Sequence, residues 1–435
     1  MTVGALLFSA DRCFHAMKRL HCTFNPKSQT VDVSLRLPPS KSEWIRLLLL
    51  RAMSGEVLTP LEGDAPTDVR TVHRILTSDI SDEVNVRDAG TAMRFLTAYM
   101  ARFASRPVRL YGTERMCARP IRPLVEALRS LGADVIYERV EDFPPLLIRP
   151  AAMRGGTVCV DAGVSSQFVS ALLLIAPTLR GGLSIKLENR EVSAPYTDMT
   201  CRLLTAFGIE VERSEDSITV GERPFAAPTE WYPSADWSAA GYIYNMVAVG
   251  ELSGSVSLPD LLPPEESMQA DSRAAALFGR LGVVTEKTDS GITLSYSPVR
   301  CSDDFGTEDV RDCPDLVPTL AVCCLLKRVP FCLTGVGHLR LKECDRLAAI
   351  CTEARKLGYV VRSDKDALLW DGERCTPEEL PVIRVYDDHR MAMAFAAAAV
   401  LSKKGVMIED AGVVGKSFPG FFSASRLLGF DGEEI

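Results

Sequence analysis

Histidine is scarce in this sequence, with five among 435 residues, and no Cys-x-x-Cys pair occurs among its 13 cysteines. A metal site built from spaced Cys or His ligands is therefore not expected. Apolar runs such as 168–179 and 391–401 fall well short of the roughly 20 residues that cross a bilayer. The first 30 residues lack a targeting pattern, and we interpret them as a tail followed by a first strand.

Positive charge is also in deficit, because 49 Lys and Arg face 57 Asp and Glu, for a net charge of −8. Binding to nucleic acid over a broad surface needs an extended basic face, so that class of function is disfavoured. Apolar residues at 47% and charged residues at 24% are typical of globular proteins. The length allows two to four domains, and cysteines inside apolar stretches are expected to be reduced core residues of a cytosolic protein.

Five glycines mark a repeated pattern in which an amphipathic stretch ends at a hydrophobic residue and Gly. Their spacing is 71 to 76 residues, and a period near 75 predicts about six units. Each glycine suits a left-handed helix cap before a strand. The glycines are Gly132, Gly208, Gly282, Gly358 and Gly429.

A second set of residues opens six apolar, helix-like stretches and counts six units independently. The first unit is short by about 25 residues between Arg51 and Asp88, where a helix over 67–76 fits but a hairpin does not. Complete units are predicted to run strand, apolar helix, strand, amphipathic helix and two strands, with the apolar helices buried. The six openings are Ser42, Gly90, Ser166, Asp236, Asp315 and Asp388.

These helix starts can be interpreted in two ways. Ser and Asp cap helices anywhere, whereas several helix N-termini around one cleft would attract anions. Basic residues near the starts, and others in loops over 112–121, 340–347 and 413–420, favour the second interpretation and indicate a small substrate with several negative charges. They are Lys41, Arg46, Arg94, Arg115, Arg119, Lys342, Arg346, Arg390 and Lys416.

Motifs spread from about Leu37 to Phe421 resemble the bacterial type of the 5-enolpyruvylshikimate-3-phosphate synthase family. They include LPPSKSEWIR, DAGTAMRFL, GTERMCARPI, VSSQFVSALL, PDLVPTLAV, LKECDRL, YDDHRMAMAFA and GKSFPGF. The resemblance implies an α/β fold, a two-domain inside-out α/β barrel of six βαβαββ-type repeats with the first repeat shortened. It places residues 40–233 in one domain and residues 1–39 with 234–435 in the other, with crossings near Pro39 and Pro233.

The resemblance also implies an activity. The family transfers the enolpyruvyl group of phosphoenolpyruvate to the 5-hydroxyl of shikimate 3-phosphate and releases phosphate, by addition and elimination, on the route to chorismate. No metal or organic cofactor is implied. We expect a cytoplasmic monomer that binds these small molecules, with neither nucleic acid nor membrane as a partner and with glyphosate as an inhibitor.

Site residues follow by motif from the resemblance. Shikimate 3-phosphate is expected to be bound by Lys41, Ser42, Arg46, Ser165, Ser166, Gln167, Ser193, Asp315, His338 and Lys342, with Tyr196 near its ring. Phosphoenolpyruvate is expected to be bound by Lys41, Gly90, Arg119, Gln167, Arg346, Arg390 and Lys416. The catalytic set is Lys41, Asp315, Lys342 and Glu343.

In that set, the resemblance makes Asp315 the base for the 5-hydroxyl. Glu343 is the acid that protonates the methylene carbon, and Lys342 opposes the developing charge. Which group acts in which half-reaction is left open.

Some positions depart from the family pattern, and two alternatives remain. Asp88 stands where Asn is usual and brings negative charge to an anion site, and His338 also replaces an Asn, so it is equally interpretable as a loop residue. One alternative is UDP-N-acetylglucosamine enolpyruvyl transferase, disfavoured because Ser42 follows Lys41 and Cys117 lies two residues before Arg119. The other is a non-catalytic anion-binding homologue.

Overall fold

The computed structural model describes residues 19–25, 30–61, 63, 65–79, 81–229 and 231–435. The expected N-terminal tail lies outside these residues, whereas the expected first strand is present from Arg19 to Phe24. Among the described helices, none combines the length and apolar composition that crossing a membrane requires.

Thirteen α-helices are described. They are α1 Lys41–Met53, α2 Thr67–Thr77, α3 Gly90–Phe103, α4 Glu114–Cys117, α5 Arg122–Ser130, α6 Ser166–Ile175, α7 Ala194–Ala206, α8 Trp237–Gly250, α9 Ala274–Gly279, α10 Val317–Lys327, α11 Arg346–Lys356, α12 His389–Ala396 and α13 Phe421–Leu427. The apolar helices α3, α6, α8, α10 and α12 are buried nearly all round, as predicted.

Twenty strands are described. They are β1 Arg19–Phe24, β2 Val31–Ser34, β3 Glu83–Asn85, β4 Val108–Tyr111, β5 Asp134–Tyr137, β6 Leu146–Arg149, β7 Gly156–Asp161, β8 Leu183–Glu188, β9 Val211–Arg213, β10 Ser217–Val220, β11 Gly254–Pro259, β12 Leu281–Thr288, β13 Gly291–Cys301, β14 Gly306–Asp309, β15 Phe331–Thr334, β16 Arg362–Ser363, β17 Ala367–Trp370, β18 Val382–Ile383, β19 Val406–Glu409 and β20 Phe430–Glu434.

These strands form five four-stranded sheets of one design, and none of the five closes into a barrel. The orders are β3-β4-β6-β5, β7-β8-β10-β9, β2-β11-β13-β12, β14-β15-β17-β16 and β18-β19-β1-β20. In each sheet the first two strands are parallel and the other pairs are antiparallel. In three of the sheets this is the predicted repeat, in which a helix connects two parallel strands and a second helix leads into two further strands. The other two sheets have the same strand order, but residues 35–253 separate β2 from β11, and β1 comes from the first described segment of the chain.

The first unit is short, as predicted. Its helix α1 is followed by α2 and then by β3, and the described residues between Met53 and Glu83 contain no strand. Five complete sheets and one pair of helices therefore account for the six units.

The five predicted glycines all adopt positive φ, between +77° and +98°. Four follow a helix within two residues of its last turn. Gly282 instead lies inside β12, where the register with β13 shifts between Leu281 and Val283. The period in the sequence is therefore a period of backbone conformations that favour glycine.

Four of the six predicted helix openings are confirmed, and the other two are slightly displaced from the helix start. Gly90 and Ser166 are the first residues of their helices, and Asp236 and Asp388 are caps whose carboxylates accept backbone N–H groups. Ser42 instead lies in the first turn of α1, which Ser40 caps, and Asp315 precedes α10 by two residues.

Buried apolar residues form two hydrophobic clusters. The first cluster draws on residues 45–220, and the second cluster draws on residues 20–37 and 235–430. The chain passes between them twice, and the two passages touch where Pro39 bridges Ala235 and the Ser40 N–H donates to the Ser234 carbonyl at 2.7 Å.

A buried glutamate joins the two passages. The Glu43 carboxylate, 1% exposed, accepts hydrogen bonds from the backbone N–H and hydroxyl of Ser234 at 2.9 and 2.8 Å. The amide of Gln269 donates to it at 2.9 Å. Burial raises the pKa of Glu43, while the bonds from Ser234 and Gln269 oppose that effect. Glu43, which follows the first passage, therefore has its carboxylate bound by donors from the second passage and from a loop of the second cluster.

We predict that Gly132→Ala lowers the free energy of unfolding by about 1–2 kcal/mol, because its φ of +95° is strained for any residue with a Cβ. The added Cβ would also lie 3.1 Å from the Ala152 carbonyl oxygen. Gly279→Ala is the control, since it ends helix α9 with open space around it. Denaturant unfolding of both variants measures the difference, and equal stabilities would contradict the prediction.

Candidate active site

Arg346, the first residue of α11, is the centre of a buried ion network. Its guanidinium is 1% exposed and contacts Asp388 Oδ2 through Nε at 2.7 Å, Asp315 Oδ1 through Nη1 at 3.0 Å and Glu343 Oε2 through Nη2 at 2.8 Å. Burial lowers the pKa of Arg346, but the three carboxylates outweigh burial and hold it well above its usual range. The guanidinium is thus permanently charged.

Asp315 carries charge between two guanidiniums. Its Oδ2 accepts from Arg390 Nη2 at 2.5 Å and from the Tyr196 hydroxyl at 3.2 Å. Burial raises the pKa of Asp315, but Arg390, Arg346 and Lys342 lower it further, to below its usual range. Asp315 is therefore an ionised carboxylate on the second cluster's side, in contact with Tyr196 of the first.

Glu343 also reaches across the cleft between the two clusters. Its Oε1 lies 3.8 Å from Arg119 Nη1, and with Arg346 this holds the pKa of Glu343 well below its usual range despite burial. Arg115 donates from Nε to the Glu343 carbonyl at 2.6 Å and from Nη2 to the Lys342 carbonyl at 3.1 Å. The backbone that carries both side chains is thereby held from the opposite side.

Lys342 and His338 have pKa values below their ordinary ones. Burial and the neighbouring Arg346 lower the pKa of Lys342 to about 8, although Asp315 opposes them. Burial and Lys342 lower the pKa of His338 to about 3, so its ring is neutral, and its buried Nε2 has no hydrogen-bond partner among the described residues. A neutral imidazole with a free nitrogen can donate to or accept from a substrate oxygen.

Lys41 and Lys416, both expected to bind the enolpyruvyl donor phosphoenolpyruvate, are paired with carboxylates. Lys41 Nζ lies 3.1 Å from Asp68 Oδ2. Lys416 Nζ donates to the Asp387 carbonyl at 2.8 Å and lies 3.4 Å from Asp88 Oδ2. The extra negative charge expected from Asp88 thus lies directly against Lys416, a cation expected to bind phosphoenolpyruvate.

The residues expected to bind shikimate 3-phosphate lie mainly on the first cluster's side. Ser165 caps α6 by accepting from the Gln167 N–H at 3.3 Å, and Gln167 Nε2 donates to Thr91 Oγ1 at 3.2 Å. Ser193 precedes α7 with φ +57°, and its buried hydroxyl has no hydrogen-bond partner in the part of the chain that the structure describes. A buried hydroxyl beside a helix N-terminus is well suited to a phosphate oxygen.

Arg46 is held by hydrogen bonds to other residues of the protein, and its expected role in binding shikimate 3-phosphate stays a prediction. Nε donates to Thr200 Oγ1 at 2.7 Å, Nη1 to the Ser42 carbonyl at 2.9 Å, and Nη2 to the Tyr196 carbonyl at 3.1 Å. The guanidinium is 2% exposed, and burial lowers its pKa to about 10. Arg46 therefore positions Tyr196, whose hydroxyl in turn contacts Asp315.

Gly90 is needed for close packing, as expected. A Cβ built on Gly90 would lie 2.5 Å from Arg119 Nη1. Any side chain at the first residue of α3 would therefore displace the Arg119 guanidinium.

The structure brings Arg119 and Lys416, both expected to bind phosphoenolpyruvate, together with the predicted catalytic residue Glu343. One cavity is lined by Asp88, Arg115, Met116, Arg119, Glu343, Asp387 and Lys416, and Glu343 joins it to the Arg346 network. The motifs did not identify Asp388 as a partner of Arg346, Asp68 as a partner of Lys41, or Arg115 as a backbone clamp. Only the placement of Arg115 in a basic loop pointed to one of these roles.

We predict that Arg346→Met lowers the free energy of unfolding by about 3–5 kcal/mol, because it removes the buried cation that three carboxylates share. Arg223→Met is the control, since its pair with Glu210 is exposed and worth less than about 1 kcal/mol. Denaturant unfolding at neutral pH compares the two. A loss for Arg346→Met no larger than for Arg223→Met would contradict the role of the network.

Comparison with known proteins agrees with this geometry. Residues 30–424 match the family model described as EPSP synthase (3-phosphoshikimate 1-carboxyvinyltransferase). A 3-phosphoshikimate 1-carboxyvinyltransferase of Bacteroides fragilis (strain YCH46) is 41% identical over 404 residues, covering 92% of this chain and 96% of the relative. One of Vibrio atlanticus (strain LGP32) is 34% identical over 431 residues, covering 92% and 97%.

A solved EPSP synthase from Acinetobacter baumannii has the same fold, with a TM-score of 0.68 at 18% identity over 95% of this chain and 99% of that one. The extent of the family match and the identity to the curated relatives lead to one conclusion. This chain belongs to the EPSP synthase (3-phosphoshikimate 1-carboxyvinyltransferase) family.

Proposed function

We propose that the protein transfers the enolpyruvyl group of phosphoenolpyruvate to the 5-hydroxyl of shikimate 3-phosphate and releases phosphate, in chorismate and aromatic amino acid biosynthesis. The family match and the names of the relatives support this activity. The observation that carries this proposal is that the Asp315 carboxylate lies between Arg346 and Arg390. Glu343 contacts the Arg346 guanidinium as well. A protein that only binds anions has no use for two ionised carboxylates among its cations.

Shikimate 3-phosphate is bound mainly by the first cluster's side. Ser165, Ser166 and Ser193 offer hydroxyls and the N-termini of α6 and α7 to its phosphate, in accord with the Ser193 hydroxyl, which has no partner among the described residues. Gln167, Ser42 and Lys41 complete this side, while Asp315, Lys342 and His338 approach from the other. Arg46 binds the same substrate from the first cluster's side and also positions Tyr196, to whose carbonyl it donates.

Phosphoenolpyruvate is bound between the two sides. Its phosphate and carboxylate are ligands for Arg119, Arg346, Arg390, Lys416 and Lys41, beside Gly90 and Gln167. Fork-shaped guanidiniums suit both anionic groups of this donor. In support of this arrangement, Arg119 and Lys416 line one cavity.

Asp315 accepts the proton of the attacking 5-hydroxyl, and Glu343 delivers a proton to the methylene carbon. An acid must be protonated, yet Arg346 and Arg119 keep the pKa of Glu343 low. The donor's anionic groups engage these guanidiniums and remove part of that stabilisation, which raises the pKa of Glu343 toward a range where it carries a proton. Lys342 and Lys41 then offset the negative charge that develops during addition.

Residues 40–233 form one domain of this enzyme, and residues 1–39 with 234–435 form the other. The two hydrophobic clusters and the bridge from Pro39 to Ala235 support these bounds. We further propose that the enzyme is a cytoplasmic monomer that acts without metal or organic cofactor and has neither nucleic acid nor membrane as a partner. Inhibition by glyphosate remains a prediction.

A phosphate-release assay tests the activity directly. Purified protein is mixed with phosphoenolpyruvate and either shikimate 3-phosphate or UDP-N-acetylglucosamine. Release with shikimate 3-phosphate alone supports the proposal. Release with the nucleotide sugar selects the alternative transferase, and no release with either acceptor supports an anion-binding homologue.

We predict that Asp315→Asn and Glu343→Gln each lower kcat by about 10²–10⁴, because each removes a proton acceptor or donor from the reaction. Both changes preserve shape, so the dissociation constant for shikimate 3-phosphate should change much less. Steady-state kinetics and calorimetry measure the two quantities. Near-wild-type kcat in either variant would remove that residue from the mechanism.

We predict that kcat/KM falls as pH rises through about 8, where Lys342 loses its proton. The sign follows because the charged ammonium is the useful form, and protons are lost as pH increases. In Lys342→Arg the side chain stays charged throughout, so the residual activity should lose this alkaline decline. An unchanged decline in that variant would assign the titration to another group.

A further inference from the structure

The cavity between the two sides of the cleft contains as many acids as bases. Arg115, Arg119 and Lys416 face Asp88, Glu343 and Asp387. Arg119 is beside Glu343, Arg115 donates to two backbone carbonyls, and Lys416 is beside Asp88. An entering anion must therefore compete with carboxylates of the protein itself.

Among these carboxylates, Asp88 is the clearest competitor of an entering anion, and Lys416 is the cation for which the two compete. They come from opposite sides of the cleft, Asp88 from the turn before α3 and Lys416 from the end of a short 3-10 helix, Ala411–Lys416. Their side chains are 31% and 18% exposed, so solvent screens this pair only partly. The Thr113 hydroxyl donates to Asp88 Oδ1 and leaves Oδ2 directed at the ammonium.

We propose that Asp88 is an affinity-determining residue whose carboxylate competes with the phosphorylated donor for Lys416. The inference rests on the proposed function, in which Lys416 binds phosphoenolpyruvate. When the donor binds, Asp88 either loses its cation or shares it with a second anion, and both outcomes weaken donor binding. Shikimate 3-phosphate, bound mainly by α1, α6 and α7, is not affected in this way.

Closure of the cleft does not depend on Asp88. Arg115 keeps its two bonds to the carbonyls of Lys342 and Glu343, and Thr67 Oγ1 donates to the Gly415 carbonyl at 3.0 Å. Lys416 itself stays anchored by the Asp387 carbonyl. Removing the Asp88 charge therefore frees the ammonium without releasing the two sides from each other.

The test is Asp88→Asn, which preserves shape and removes the charge. The KM for phosphoenolpyruvate is expected to fall about tenfold, equivalent to about 1.4 kcal/mol, with the KM for shikimate 3-phosphate unchanged. The difference from wild type should narrow as salt is raised, since screening weakens the competing pair. Asp88→Ser, tested in parallel, should lower the same KM if charge is the cause.

Asp309→Asn is the matched control. It neutralises a carboxylate paired across the cleft with Arg190 at 3.9 Å, at an exposed position that is not part of the lining of this cavity. Its KM for the donor should equal that of wild type. An unchanged or raised KM in both Asp88 variants, or an equal fall in Asp309→Asn, overturns the proposal.

Calorimetric titration with phosphoenolpyruvate separates this inference from the proposed function. Tighter binding to Asp88→Asn than to wild type supports the competition even if wild type releases no phosphate with shikimate 3-phosphate, a result that would refute only the proposed reaction. Equal or weaker binding to Asp88→Asn counts against the competition whatever the activity.

Discussion

One guanidinium shared by three carboxylates organises the centre of this molecule. Arg346 begins α11, Asp388 caps α12, Asp315 precedes α10 and Glu343 lies three residues before Arg346. Burying these charges is costly unless each is paired, so the loops before three helices must take up one mutual geometry. That geometry aims Asp315 and Glu343 toward the cleft and fixes the edge to which Tyr196, Arg115 and Arg119 reach from the other side.

The same pairing explains how an acidic protein can bind anions. Its cations lie in the cleft with carboxylates of the protein beside them, so the site is charged but not grossly positive. Binding a donor with phosphate and carboxylate groups is then an exchange of anionic partners around fixed guanidiniums. In the proposed arrangement, such an exchange would couple donor binding to the protonation of Glu343, because Arg346 and Arg119 keep its pKa low and are the cations proposed to bind the donor.

Local features were predictable from the sequence, whereas long-range pairings were not. Gly132 and its four counterparts adopt positive φ, a local backbone conformation that the presence of glycine itself can indicate. The capping carboxylates of Asp236 and Asp388 are equally local. The bond between Asp388 and Arg346, by contrast, joins residues 42 positions apart in sequence, and the clamp from Arg115 spans 228. The motifs also could not show that Arg46 is satisfied by protein acceptors, because that depends on how α1 packs against α7.

If the Arg346 network holds an ionised Asp315 where it can take a proton from the acceptor, bound shikimate 3-phosphate must place its 5-hydroxyl against that carboxylate. A crystal structure of the protein with shikimate 3-phosphate bound measures this distance. We predict the 5-hydroxyl within about 3.2 Å of the Asp315 carboxylate, with Arg346 and Arg390 still paired to it. A 5-hydroxyl that lies out of reach of Asp315 would rule out this carboxylate as the base.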